Sequence, residues 1–139
     1  MLPPSTAFAI FYSEKYYKLL WEIERANLSL FERRDLTIGV EVQLPEDIFF
    51  GYTVFLEELE VRLMLYLNKG VNGNYLIQAK PQPEFLLFSK GNDPSDFANK
   101  FAYDVEKLPG VKAVLPIDVS RSKRPKELLY HFNYVKKRI

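Results

Sequence analysis

At 139 residues, with 47% apolar and 27% charged side chains, the chain is one domain long and has the make-up of a globular protein, which excludes disordered and fibrous classes. No run approaches the ~18 consecutive apolar residues of a bilayer span, and zero cysteine excludes a disulfide framework, a thiolate metal site and a cysteine nucleophile. The net charge of +1 joins two unlike parts: residues 1–118 hold 12 Lys and Arg against 17 Asp and Glu, net −5, and residues 119–139 hold 7 against 1, net +6.

The start, Met1-Leu2-Pro3-Pro4, has no charged region leading into an apolar one, so no standard export signal is expected and the cytoplasm is the expected compartment. The lack of cysteine and the low methionine content also suit a thermophilic source. Ala7–Tyr12 reads as a short apolar strand or a packed arm. Ser13 is placed to cap a helix over 14–32, in which Tyr16, Leu19, Leu20, Ile23 and Leu30 recur at helical spacing. Tyr17 and Trp21 are expected to widen its buried stripe.

From Leu36 to Leu44 the period becomes two, since Leu36, Ile38, Val40, Val42 and Leu44 alternate with Thr37, Gly39, Glu41 and Gln43. This spacing predicts a strand with one buried face, ended by Pro45. Residues 48–68 fit either period. Over 59–68 the alternation of Leu59, Val61, Leu63, Leu65 and Leu67 with Glu60, Arg62, Met64, Tyr66 and Asn68 favours a strand, and 48–57 stays open between strand and helix. The Gly- and Asn-rich residues 68–74 then suit a hairpin turn into Tyr75–Lys80.

Pro81 and Pro83 interrupt the chain before a strand at Glu84–Ser89. Asp93-Pro94 opens a helix through about Leu108 with Gly110 as its stop, and Val111–Val119 follows as a strand. The turn Leu108-Pro109-Gly110-Val111-Lys112-Ala113-Val114 resembles those closing a helix onto a strand in ferredoxin-like β-α-β halves, such as amino-acid-sensing regulatory domains and some RNA-binding THUMP-associated domains. The resemblance spans residues 84–119, about a quarter of the chain, and singles out no family. Beyond the polar linker Arg121-Ser122-Lys123-Arg124, Pro125 suits the start of a last helix with Leu128, Leu129, Phe132, Val135 and Ile139 as its apolar stripe.

The expected architecture is therefore α+β: one domain, residues 1–139, with a mainly antiparallel sheet of five or six strands. An N-terminal helix and a helix near 94–108 pack on one face, and a C-terminal helix completes the fold. The sharpest functional candidate is the basic segment 119–139. Arg121, Lys123 and Arg124 on the linker, with Lys126, Lys137 and Arg138 beside Tyr130 and Tyr134 on one helical arc, offer phosphate contacts next to rings that can stack on bases. The bland alternatives are a solvated helix face, cations suited to a helix C-terminus, or a basic end docked on the acidic body.

Weaker candidates are the lone His131, which by itself allows no multi-histidine metal site, and Glu57, Glu58 and Glu60, which need further carboxylates such as Glu41 or Asp118 for acid/base or metal work. Glu58 and Glu60 also share a face with Arg62, a geometry that partly neutralises itself. Gly70-Val71-Asn72-Gly73 is too short for a dinucleotide fingerprint and reads as a turn. The leading expectation is a non-enzymatic module that binds nucleic acid, RNA or DNA, within a larger complex and without a cofactor or metal. The alternatives are an assembly subunit, homodimeric or heteromeric, using aromatics such as Phe49, Phe50 and Tyr52, and a small enzyme or ligand-binding domain built on carboxylates.

Overall fold

In the strand Ser5–Tyr12 (β1) small and large apolar side chains alternate over Ala7, Phe8, Ala9 and Ile10, and its backbone pairs on both sides. In the computed structural model, which describes residues 5–26, 31–38, 47–77, 80–91 and 94–117, β1 is antiparallel to Phe85–Gly91 (β7) and to Val111–Pro116 (β8). Gly51–Leu56 (β5) and Val61–Leu67 (β6) form a hairpin, and β6 pairs with β7. Glu32–Arg33 (β2) adds a two-residue edge on β5. The sheet order is β2-β5-β6-β7-β1-β8 with every neighbour antiparallel, and Leu36–Ile38 (β3) with Asp47–Phe49 (β4) makes a separate two-stranded sheet.

Two helices connect the strands, α1 (Tyr16–Arg25) and α2 (Pro94–Glu106). The chain passes from β7 through α2 to β8, and β1 lies between those two strands. Likewise β1 leads through α1 toward β6, with β7 between. These are two interlocked split β-α-β units, the ferredoxin-like order, extended past β6 by β5 and β2. The resemblance seen in the turn after Leu108 thus holds at the level of topology. Gly110, at φ +85°, closes the turn from α2 into β8 in a left-handed conformation that glycine adopts without a Cβ penalty.

Both helices pack on one face of the sheet. Leu19 and Ile23 from α1 and Ala98, Phe101, Ala102 and Val105 from α2 meet Phe8, Ile10, Leu63, Leu65, Phe85 and Leu87 in one cluster. The opposite face forms a second cluster from Ala7, Ala9, Met64, Tyr66, Leu86 and Phe88, covered among the described residues by Phe49, Leu76 and Ile77. The alternation in β6 correctly marks a strand but not a wet side, since Met64 and Tyr66 point away from the helices yet are buried.

Several expectations are corrected. The helix expected over 14–32 ends at Arg25, because Glu32 and Arg33 pair with Thr53 and Tyr52 as a strand. Ser13 does not cap it: its Oγ donates to the Gly110 carbonyl at 3.0 Å, and Lys15 occupies the cap position without a side-chain bond. Tyr17 and Trp21 are 54% and 56% exposed rather than buried. Residues 57–60 form a turn, and 75–77 form no hairpin strand but join through a bridge between Lys69 and Tyr75 and through bonds to Asn68, because β7 occupies the place beside β6. Most of the strand expected at 36–44 and all of the C-terminal helix lie outside the described residues.

Leu87 sits fully buried between β1 and β6 in the first cluster. Leu87→Ala is expected to lower stability by about 2–5 kcal/mol, as buried leucine truncations do. Val71→Ala, at an exposed position in the loop beyond β6, is expected to change it by about 0.5 kcal/mol or less. Urea unfolding of the two variants beside the parent chain measures both.

Candidate functional site

The eight residues singled out for nucleic-acid contact, Arg121, Lys123, Arg124, Lys126, Tyr130, Tyr134, Lys137 and Arg138, lie outside the described residues, as does His131. The structure does show where the described chain ends. Ile117 follows β8, its N–H donates to the Ala7 carbonyl at 3.0 Å, and its side chain packs on the second cluster. The described chain therefore ends beside the β8 edge, with the Ile117 side chain on the face turned away from the helices.

The carboxylate candidates are not drawn together. Glu57, Glu58 and Glu60 are exposed in the β5–β6 turn, and Glu41 and Asp118 fall outside the described residues. Among the described residues no three His, Asp or Glu side chains converge as metal ligands do. Arg62 does not neutralise this cluster. Its Nη1 donates to the Thr53 hydroxyl at 2.8 Å, its guanidinium lies 5.4 Å over the Phe55 ring, and its buried Nε finds no acceptor. Burial, aided by the nearby Arg34 guanidinium, pulls Arg62 below its ordinary pKa.

Two buried polar residues that sequence reasoning passed over hold the loop beyond β6. The Asp47 carboxylate accepts from the N–H groups of Ile48 (2.8 Å), Asn72 (2.9 Å) and Asn74 (3.1 Å), and from the Asn74 amide (2.7 Å). Burial alone would raise its pKa. The donors outweigh that and hold it below the usual carboxylate range. Gly70 lies so close that a Cβ there would overlap this carboxylate. Asn68, fully buried, donates to the carbonyls of Ile77 (2.9 Å) and Pro83 (3.1 Å) and accepts from the Ile77 N–H (2.9 Å). The turn composition of 68–74 pointed to a loop, but nothing in it pointed to a partner as distant as Asp47.

These anchors shape a cleft of about 310 Å³ at the end of the sheet, lined by Glu14, Tyr16, Lys69, Tyr75 and Glu84, near the lower end of small-molecule sites. Glu84 is partly engaged, its carboxylate accepting the Tyr12 N–H at 2.7 Å. The arrangement offers hydroxyls, one ammonium and two carboxylates for binding a polar group. Phe49, expected on a partner face, is instead in the second cluster, and Phe50 and Tyr52 are half-buried, with the Arg33 guanidinium 4.6 Å over the Phe50 ring. Among the described residues the most exposed rings are on the helices: Tyr16, Tyr17 and Trp21 on α1 and Tyr103 on α2. Trp21 and Tyr103 each carry a cation over the ring, Arg25 at 5.2 Å and Lys107 at 3.9 Å.

No protein-family model matches this sequence, and no curated protein matches it.

Asp47 gives a prediction with a defined sign. A carboxylate whose folded pKa is depressed contributes stability that is present above its unfolded value near ~3.9 and lost as pH falls through the folded value. Asp47→Asn is expected to destabilise by about 1–3 kcal/mol at neutral pH, with the deficit narrowing below about pH 4. Thermal unfolding of both proteins from neutral to acid pH checks it, and a deficit that is constant across that range contradicts it.

Proposed function

We propose that this chain is a non-catalytic binding module that engages nucleic acid through its basic end. Arg121, Lys123 and Arg124 ahead of Pro125, with Lys126, Lys137 and Arg138, supply the phosphate contacts, and Tyr130 and Tyr134 supply stacking surfaces. The observation that carries this reading is the segregation of charge, net +6 over the last 21 residues against net −5 over the rest. The body adds a contrast. Lys18, Arg25 and Arg33 lie 3.9, 3.6 and 3.2 Å from Glu14, Glu22 and Asp35, so cations and anions are mixed there, whereas the end is of nearly one sign. Counterion release favours polyanion binding where cations cluster without matching acids.

Neutralising Arg121, Lys123, Arg124 and Lys137 together to Gln is expected to weaken binding to single-stranded RNA and to duplex DNA. It should also reduce the dependence of log affinity on log salt by about one for each phosphate no longer neutralised. Anisotropy titrations at several salt concentrations measure both quantities. Binding unchanged in the variant, or no salt-dependent binding by the parent, refutes the reading.

A second reading rests on α1, where Tyr16, Tyr17 and the only tryptophan, Trp21, stand exposed side by side, a ring-rich surface of the kind enriched in protein interfaces. Trp21 emission is expected to be that of a solvated indole in the isolated chain and to shift to the blue when a protein partner or second copy covers α1. A blue shift that grows with protein concentration, together with a rising solution mass, identifies the second copy.

A further inference from the structure

We propose that the sheet face turned away from the helices is the docking site of this chain's own C-terminal segment, residues 118–139, seated through Leu128, Leu129, Phe132, Val135 and Ile139. The proposal does not depend on what the basic side chains bind. It begins from an imbalance between the layers. α1 and α2 both pack on one face, yet on the other Met64, Leu86 and Phe88 are 1% exposed or less. The described side chains reaching that second face are Phe49, Leu76 and Ile77, with Phe11 and Ile117 at its margin. A sheet buried on both faces takes a covering layer on each.

Toward β8 the same face stays open. A groove of about 430 Å³ runs there, lined by Phe11, Pro81, Ala113 and Leu115 and rimmed by Gln82, Glu84 and Lys112. Ala113 is paired with Phe11 and Leu115 with Ala9, so these side chains share the second face, and Leu115 is 51% exposed. The described chain ends on this face: Ile117, the last described residue, packs on the second cluster.

The C-terminal segment has the length and the pattern to fill this groove. Positions 128, 132, 135 and 139 recur at the four-three-four spacing of one helix face, with 129 beside them. Taken as a helix, residues 126–139 measure about 21 Å at ~1.5 Å per residue. The distance across β8, β1, β7 and β6 is about 14 Å at ~4.8 Å per strand. The eight residues 118–125 reach up to about 26 Å extended, enough to turn back over the sheet. Covalent attachment favours this segment over any free competitor, because it is present at a local concentration in the millimolar range. The acidic body suits a basic occupant. In this seating Lys126, Tyr130, Tyr134 and Lys137, on the arc opposite the stripe, face outward, with Arg138 at the flank.

The absence of cysteine permits one spin label at a chosen place in the full chain. With Asn133→Cys carrying a nitroxide, the methyl signals of Ala9 and Met64 are expected to broaden more strongly than those of Ala98 and Ala102 beneath α2. The effect should be unchanged on dilution and absent when labelled chains without isotope are mixed with isotope-labelled chains without the nitroxide. Phe132→Asp in the labelled chain is expected to abolish the selective broadening while leaving the Ala98 and Ala102 signals in place. Equal or no broadening in the parent labelled chain overturns the proposal whether or not that variant folds. Broadening that appears in the mixture assigns the face to a second copy and overturns it as well, and broadening that survives Phe132→Asp in a folded chain removes the role of the stripe. A chain that shows the selective broadening but no salt-dependent RNA binding keeps the docked segment and loses only the nucleic-acid reading.

Discussion

The central strands of this protein are apolar on both sides, and much of the architecture answers to that. On β6 the consecutive residues Leu63, Met64, Leu65 and Tyr66 alternate between faces, as do Phe85, Leu86, Leu87 and Phe88 on β7, and all eight are 2% exposed or less. Removing such side chains from water is worth roughly 1.5–3 kcal/mol each, so neither face can be left wet. Helices α1 and α2 cover one. Among the described residues the other is covered by pieces of loop and short strand, which must be held in place by something other than their own secondary structure.

Buried polar groups hold them. Loop backbone pressed onto an apolar sheet carries N–H and C=O groups that cost about 1–3 kcal/mol each if left unpaired. Asp47, at the start of β4, satisfies three such N–H groups, two of them in the 69–75 loop. Asn68, where β6 ends, satisfies the carbonyl and N–H of Ile77 and the carbonyl of Pro83, and its own backbone N–H donates to the Glu84 carbonyl at 3.0 Å. The side chains that cover the second face, Phe49, Leu76 and Ile77, lie within two residues of these anchors or are bonded to them. Packing and polar satisfaction are therefore one device: the apolar residues face the sheet because the carboxylate and the amide fix the backbone that bears them.

The same two-sided burial explains what the sequence made legible and what it hid. The elements beginning at Ala7, Glu84, Pro94 and Val111 were legible because apolar runs, prolines and Gly110 mark their limits locally. The period-two pattern of 59–68 identified a strand, but it implied a wet side that does not exist, since alternation cannot distinguish a polar face from a second buried one when the alternating residues are Met64 and Tyr66. On α1 the error was the converse. At ~100° per residue, Tyr17 and Trp21 fall roughly 160 to 200° from Leu19, so the spacing itself placed them outward, and counting every aromatic as core overrode it. Asp47 and Asn68 were illegible for another reason: partners 25 to 27 residues from Asp47 and 9 to 15 from Asn68 follow from topology, which local pattern does not contain. None of the eight candidate contact residues falls in the described part of the chain, so the reading of the site still rests on charge and spacing.

Charge and packing then bear on each other at the C-terminus. An acidic body and a basic end attract, and if that attraction bound the cations to the body they would be withdrawn from phosphate. At physiological ionic strength the Debye length is about 8 Å, and exposed ion pairs contribute about 0–1 kcal/mol each, so charge by itself holds such an end weakly. Apolar side chains seated on a dry face hold it more firmly and ask nothing of the cations. A helical segment anchored by Leu128, Phe132 and Val135 would keep Lys126 and Lys137 on its far side, about a helix diameter of ~10 Å from the sheet and beyond most of the body's screened field. Internal docking and polyanion binding, which compete if both draw on charge, become compatible once the docking is apolar.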